Sequence, residues 1–205
     1  MHKEILTEEQ IKLLPLVKKF IKNFGLVGGT AIALQMGHRR SIDFDMFSLK
    51  EFDNSKIRRI IKNEGRRISK VYKDEDDQYT FFINNVQFTF FNYPYPLEFS
   101  KELDGYLKMP DLLTLAAMKA FAIGQRSKWK DYVDLYFIIN KYHSIEKIVK
   151  RAKKIFEGAF SERVFREALI YFDDVNYDEE VEYLPGFAVS DEEIKKALVE
   201  FSLEI

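Results

Sequence analysis

The side chains whose types and spacing could do chemistry cluster in residues 28–47. Gly28, Gly29 and Thr30 come first, then Arg39 and Ser41, then Asp43 and Asp45. On a strand, two acids spaced i and i+2 point to one face, about 7 Å apart at Cα. Ile42, Phe44 and Met46 would then face the core. Two acids on an otherwise apolar strand need compensation, and an oxygen-loving divalent cation such as Mg²⁺ supplies it. Gly28-Gly29-Thr30 reads as a strand-to-helix turn. Glycines let backbone approach a phosphate, and a helix N-terminus offers unpaired N–H groups with a favourable dipole. Beside the two aspartates, this turn would hold a nucleoside triphosphate by its phosphates, with Thr30 adding a donor and Arg39 adding charge. Each part alone has a plainer reading. Gly-Gly turns are common, and an edge strand with solvated acids accounts for Asp43 and Asp45 without function. The combination in this order is the specific signal.

The elements around this stretch must position it. Thr7 with Gln10 fits a capping box, and Ile11, Leu13, Leu14, Val17, Phe20, Ile21 and Phe24 give an apolar stripe at helical period. A first helix therefore runs to Gly25. A short strand at Leu26 and Val27 leads into the glycine turn, a helix over 30–36 ends at Gly37, and alternation over 41–47 predicts a strand. A basic helix over 54–63 follows, then strands at 68–72, 79–83 and 86–91 with Asn84-Asn85 as a tight turn. After Tyr93-Pro94-Tyr95-Pro96 the pattern is helical. Pro110 opens one helix, stopped by Gly124, and a second spans 128–141. Ser144 and Ser161 read as N-caps of two more, and Ser190 with Glu193 as a capping box for a last one. The expected fold class is α/β (α+β), with an α/β core and its N-terminal helix over 1–105 and a helical domain over 106–205.

Composition sets the bounds. The chain has 205 residues, 46% apolar and 15% aromatic, which excludes a disordered protein. Lys plus Arg is 32 against 33 acids, a net charge of −1, which excludes a uniformly basic surface but not a local basic patch. Residues 56–70 carry seven basic side chains against Glu64 alone, and residues 173–193 carry nine acids and no Lys or Arg. These are either solvated faces or a basic rim for phosphates and an acidic flank. The Tyr93–Pro96 run is either a rigid turn or a surface on which a base stacks. With no cysteine and three histidines, a disulfide, a thiolate metal site, a cysteine nucleophile and a zinc site are all disfavoured. No apolar run reaches membrane-spanning length and the first 25 residues are charged throughout, so the expectation is a cytoplasmic protein with no membrane partner. High charge without cysteine leans towards a thermophilic source.

The run Gly28-Gly29-Thr30, then Gly37-His38-Arg39 with Ser41 and Asp43-Phe44-Asp45 before Phe47, resembles nucleotidyltransferases of the DNA polymerase β-like superfamily. Within it, the likeness is greatest to AbiEii/AbiGii-type proteins, the toxin halves of type IV toxin–antitoxin and abortive-infection systems. The resemblance continues through Met109-Pro110-Asp111-Leu112-Leu113, Met118-Lys119 and the stretch from Arg126 to Tyr136, so it spans residues 24–140. It implies a small mixed β-sheet flanked by helices and carrying the glycine and aspartate elements, with a helical domain completing the cleft. It also implies Mg²⁺-dependent transfer of a nucleoside monophosphate from an NTP to RNA such as tRNA, or to protein, and an antitoxin partner. Position by position, it puts Gly28, Gly29, Thr30, Arg39 and Ser41 on the triphosphate, Asp43 and Asp45 on Mg²⁺, and Lys119 near the phosphates. His38, Arg126, Lys130, Asp131 and Asp134 would support the site.

The residues' own chemistry leaves plainer alternatives. Lys119, among Leu115, Ala116, Met118 and Ala122, either meets an anion or snorkels to the surface. Lys130 and Asp134 are spaced for an intrahelical salt bridge, and Asp131 is placed to position Lys119 or an acceptor. His38 is either structural or phosphate-facing. The superfamily also places a third carboxylate on a later strand. Thr89 stands in the matching register, and no acid lies between Asp77 and Glu98. A hydroxyl cannot carry the charge that a second metal or a general base needs. The chain is thus either a transferase with two carboxylates or a catalytically weakened nucleotide-binding or regulatory module.

Overall fold

Thr7 Oγ1 accepts from the Gln10 N–H, and the Gln10 side chain accepts from the Thr7 N–H. This capping box starts α1 (Glu8–Lys18), and the helix ends earlier than the apolar stripe suggests. Gly25 opens the first strand, β1 (Gly25–Val27), rather than closing the helix, and Ile11 is 49% exposed. α2 (Gly28–Met36) starts at the glycines themselves and stops at Gly37, whose φ of +73° suits a glycine. β2 is Phe44–Ser48, so the strand starts three residues later than the alternation suggests. Asp43 precedes it, and Ile42 is 49% exposed rather than in the core. The physical reason is the partner strand, whose pairing with β2 begins only at Phe44.

Then come α3 (Asn54–Asn63), β3 (Lys70–Asp74), β4 (Gln78–Ile83) and β5 (Val86–Asn92). Asn84 and Asn85, at φ 51° and 63°, make the tight hairpin between β4 and β5. The sheet runs β1-β2-β5-β4-β3, with β2 and β5 parallel and the other pairs antiparallel. One face buries Phe44, Met46, Tyr79, Phe81, Phe88 and Phe90, and Phe20 and Phe24 meet the Phe90 ring edge-on at 4.9 Å. A hairpin of β6 (Lys101–Leu103) and β7 (Leu107–Met109), absent from the sequence reading, packs through β7 beside β1.

Residues 1–204 are described in this computed structural model, and they fall into two compact units that meet in sequence at Asp111 and Leu112. The boundary lies after residue 105 because the second hairpin strand belongs with β1. The second unit holds α4 (Leu112–Ile123), α5 (Trp129–Lys141), α6 (Ile145–Phe156), α7 (Glu162–Ala168) and α8 (Asp191–Ser202). Ser144, Ser161 and Ser190 cap α6, α7 and α8 by accepting from the N–H three residues on. α4 packs on α5 and α6, and α8 on α5. Part of the acidic run is paired here: Glu179 takes Lys128 at 2.8 Å and Lys130 at 3.4 Å, and Asp191 accepts from the Trp129 indole at 2.9 Å. The fold is mixed α/β. No helix among the described residues is long and apolar enough to cross a membrane.

Candidate active site

The first unit gathers the glycine turn, the basic loop and the aspartates. Gly28 has φ +69°, and a Cβ there would run into the Asp45 carboxylate. A Cβ on Gly29 would lie 2.6 Å from an Arg39 guanidinium nitrogen and 3.2 Å from Ser41 Oγ. Only glycine gives these groups room to sit directly on the start of α2. Thr30, 2% exposed, donates to the Asp43 backbone carbonyl, and its hydroxyl oxygen lies 2.9 Å from Ser41 Oγ. Thr30 therefore fixes the path of the chain into the aspartates. Gln10 does the same from α1, donating to the Ser41 carbonyl at 3.0 Å while its other side-chain atom completes the capping box. Sequence reading assigned Gln10 only to the cap. Its complete burial is the sign of a second duty, and the sequence carries no trace of it.

Arg39 and His38 are buried, at 2% and 0% exposure. Arg39 donates to the Arg40 carbonyl at 2.9 Å. Its guanidinium sits inside the fold beside Gly29 rather than reaching into solvent. Asp43, Asp45 and Ser41 are half-buried.

Asp45 lies beside Thr89 across the parallel pair, and Thr89 beside Thr80 across the next. A hydroxyl thus occupies the strand position adjacent to Asp45. On the same face Gln78 donates to Thr80 Oγ1 at 3.2 Å, and Lys73 donates to Gln78 at 3.0 Å. Further along β2 and β5 that face turns aromatic. Phe47 lies 5.2 Å from Phe91 and 4.9 Å from Tyr93, centroid to centroid, and burial pushes the Tyr93 phenol above its ordinary range.

The second unit holds the remaining sequence candidates in a different arrangement. Lys119, only 6% exposed, donates to Asp131 and lies 2.9 Å from Asp134. Both carboxylates are buried, and Arg126 adds a 3.3 Å contact to Asp131 from a mostly exposed position. Lys119 is therefore not a snorkelling surface lysine. The structure joins Lys119, Arg126, Asp131 and Asp134, while Lys130 is directed to Glu179.

Residues 17–201 match the family described as the nucleotidyl transferase AbiEii toxin of type IV toxin–antitoxin systems. An uncharacterized protein of Aquifex aeolicus is 34% identical over 187 residues, which cover 87% of this chain and 88% of that protein. Among solved structures, a Helicobacter pylori protein assigned to the nucleotidyltransferases aligns with a TM-score of 0.61 at 19% identity, over 96% of this chain and 94% of its own. MenT4, a nucleotidyltransferase toxin of Mycobacterium tuberculosis H37Rv, aligns with a TM-score of 0.64 at 13% identity, over 95% and 80%. At such identities these two structures speak for the shared fold.

Proposed function

This chain belongs to the AbiEii nucleotidyl transferase family, and we propose that it moves a nucleoside monophosphate from an NTP to an RNA acceptor at Asp43 and Asp45. The observation that carries the reading is the fit of Gly28 against the Asp45 carboxylate. A phosphate-binding turn and an acid share one surface there, as a Mg²⁺–triphosphate complex requires.

Two carboxylates suit Mg²⁺, which is held by one or two protein acids together with waters and substrate phosphates. Asp43 and Asp45 would hold the ion, which would supply charge neutralisation for the phosphates. The protein's own groups do the rest. The N–H groups at the start of α2 hold the β- and γ-phosphates, with buried Arg39 beside Gly29. Thr30 and Gln10 keep the aspartate loop in place. An acceptor hydroxyl oxygen bonds to the α-phosphorus as the α–β bridge breaks. Pyrophosphate leaves with the electron pair. With Thr89 beside Asp45, the hydroxyl proton passes to water. Lys119 is already engaged by Asp131 and Asp134 within the second unit, so no phosphate role is assigned to it here. In this reading the protein is the cytoplasmic toxin component of a pair and an antitoxin protein restrains it.

The test is Mg²⁺-dependent incorporation of label from each α-³²P NTP into cellular RNA, which Asp43→Ala and Asp45→Ala should each abolish. No incorporation from any NTP would sink the proposal. The pairing of Asp45 with Thr89 favours a second reading, a nucleotide-binding module without turnover. That reading expects Mg²⁺-linked NTP binding without pyrophosphate release, and release appearing in Thr89→Asp.

A further inference from the structure

Beyond Asp45, on the same face of the sheet, the surface changes from polar to aromatic. Asp45 and Phe47 alternate with buried Phe44 and Met46 on β2, and Thr89 and Phe91 alternate with buried Phe88 and Phe90 on β5. Tyr93 continues the β5 row, tied by its N–H to the Ser48 carbonyl at 2.7 Å, and Tyr95 meets it at 5.6 Å. On the other side β1 contributes a glycine. Gly25 pairs with Phe47, and a Cβ on Gly25 would fall inside the Phe99 ring. Phe99 therefore lies against bare backbone beside Phe47. Lys108 stands 5.5 Å above the Phe99 ring. Phe47, Phe91, Tyr93 and Phe99 are each half-buried.

Position along the strand decides what this shelf fits. β1 and β2 are antiparallel, with Val27 opposite Asp45 and Gly25 opposite Phe47. The phosphate turn after Val27 and the shelf beside Gly25 thus lie on opposite sides of Asp45. Nucleotidyl transfer is in-line: the attacking oxygen enters opposite the departing pyrophosphate. If pyrophosphate leaves towards the start of α2, the acceptor comes from the shelf side. Aromatic rings with a nearby cation are what a nucleobase and its phosphate recognise. A polypeptide acceptor brings no backbone phosphate to Lys108 beside the rings.

We infer that Phe47, Phe91, Tyr93 and Phe99, with Lys108, form a stacking subsite for the terminal nucleobase of a single-stranded RNA acceptor. This rests on the reading of Asp43 and Asp45 as the transfer site, and it makes the shelf the device that selects RNA over protein. Tyr93 and Phe99 act by positioning the acceptor and take no part in the bond changes.

The experiment measures binding, so it does not depend on turnover. A single-stranded RNA hexamer carrying 2-aminopurine at its 3′ end is titrated with the full chain in the absence of NTP. Stacking quenches its fluorescence. Removing one stacking ring, in Tyr93→Leu, should weaken binding roughly five- to 150-fold, while Tyr93→Phe keeps wild-type affinity. Lys108→Ala, which leaves the packed rings intact, should lower the slope of log affinity against log salt by about one. The same RNA ending in an abasic ribose should bind like the Tyr93→Leu complex. The inference is overturned if the abasic RNA binds as tightly as the intact one. It is also overturned if wild type fails to quench the RNA, or if Tyr93→Leu and Lys108→Ala both bind as wild type. Quenching seen only with 2-aminopurine riboside triphosphate would assign the shelf to the NTP base and overturn the acceptor assignment. Mg²⁺–NTP binding by calorimetry, run alongside, reports separately on Asp43 and Asp45.

Discussion

Two clusters of charge, one in each unit, solve the problem of burying acids in opposite ways. In the second unit Asp131 and Asp134 enclose the Lys119 ammonium, and all three are nearly out of water. In the first unit Asp43 and Asp45 stay half-buried at the edge of a glycine turn, on a face that also carries Thr89 and Thr80. In the ion triad each charge depends on its neighbours, so removing one leaves buried charge behind and should disturb the packing of α4 and α5. A half-buried pair beside helix N–H groups keeps carboxylate surface within reach of an incoming cation and phosphate. The difference separates residues whose loss should show in folding from residues whose loss should show in chemistry.

The largest expected effect tests the open cluster. Asp45→Asn should lower labelled-NMP incorporation about ten-thousandfold, roughly 5.5 kcal/mol of barrier, with the thermal midpoint unchanged or raised. A large fall in the midpoint would place Asp45 among structural acids and erase the contrast. Next, Lys119→Met should destabilise the fold by about 3–5 kcal/mol in urea titration, because it removes the ammonium that two buried carboxylates share. A loss under 1 kcal/mol with activity abolished would move Lys119 to the chemical side. Gly28→Ala should be intermediate, costing about 1–3 kcal/mol through the strained φ, and should also weaken Mg²⁺–NTP binding by calorimetry because the methyl meets Asp45. Intact binding in this variant would break the link between the turn and the acid.

The smallest effect concerns Tyr93. Burial raises its phenol in the folded state, so the unfolded chain ionises first as pH rises. That contribution is fully present below the unfolded pKa near 10 and declines above it by at most about 1.4 kcal/mol per pH unit. Comparing wild type with Tyr93→Phe in urea at pH 9 and pH 11 measures it. Identical pH dependence in the two would show that the ring is open to water on its hydroxyl side.

Several of these features were legible in the chain and others were not, for reasons visible in particular residues. Thr7 with Gln10, Ser144, Ser161 and Ser190 announced their helices because capping is local chemistry three residues long. Asn84-Asn85 announced its turn for the same reason. The strand assigned to 41–47 was displaced, and the 101–109 hairpin was missed, because strand limits depend on a partner far away in the chain.

The sequence by itself determined the order of the glycine turn, the two acids and the helices that follow, the absence of thiol chemistry, and the likeness to AbiEii-type proteins. Those depend on residue identity and on short spacing. Tertiary structure alone decided that Thr89 stands beside Asp45, that Gln10 holds the Ser41 loop, and that Phe99 lies over Gly25. It also decided that Lys119 sits between two aspartates. Each is a contact between residues distant in sequence, and only the packing of the sheet and helices determines which distant groups meet.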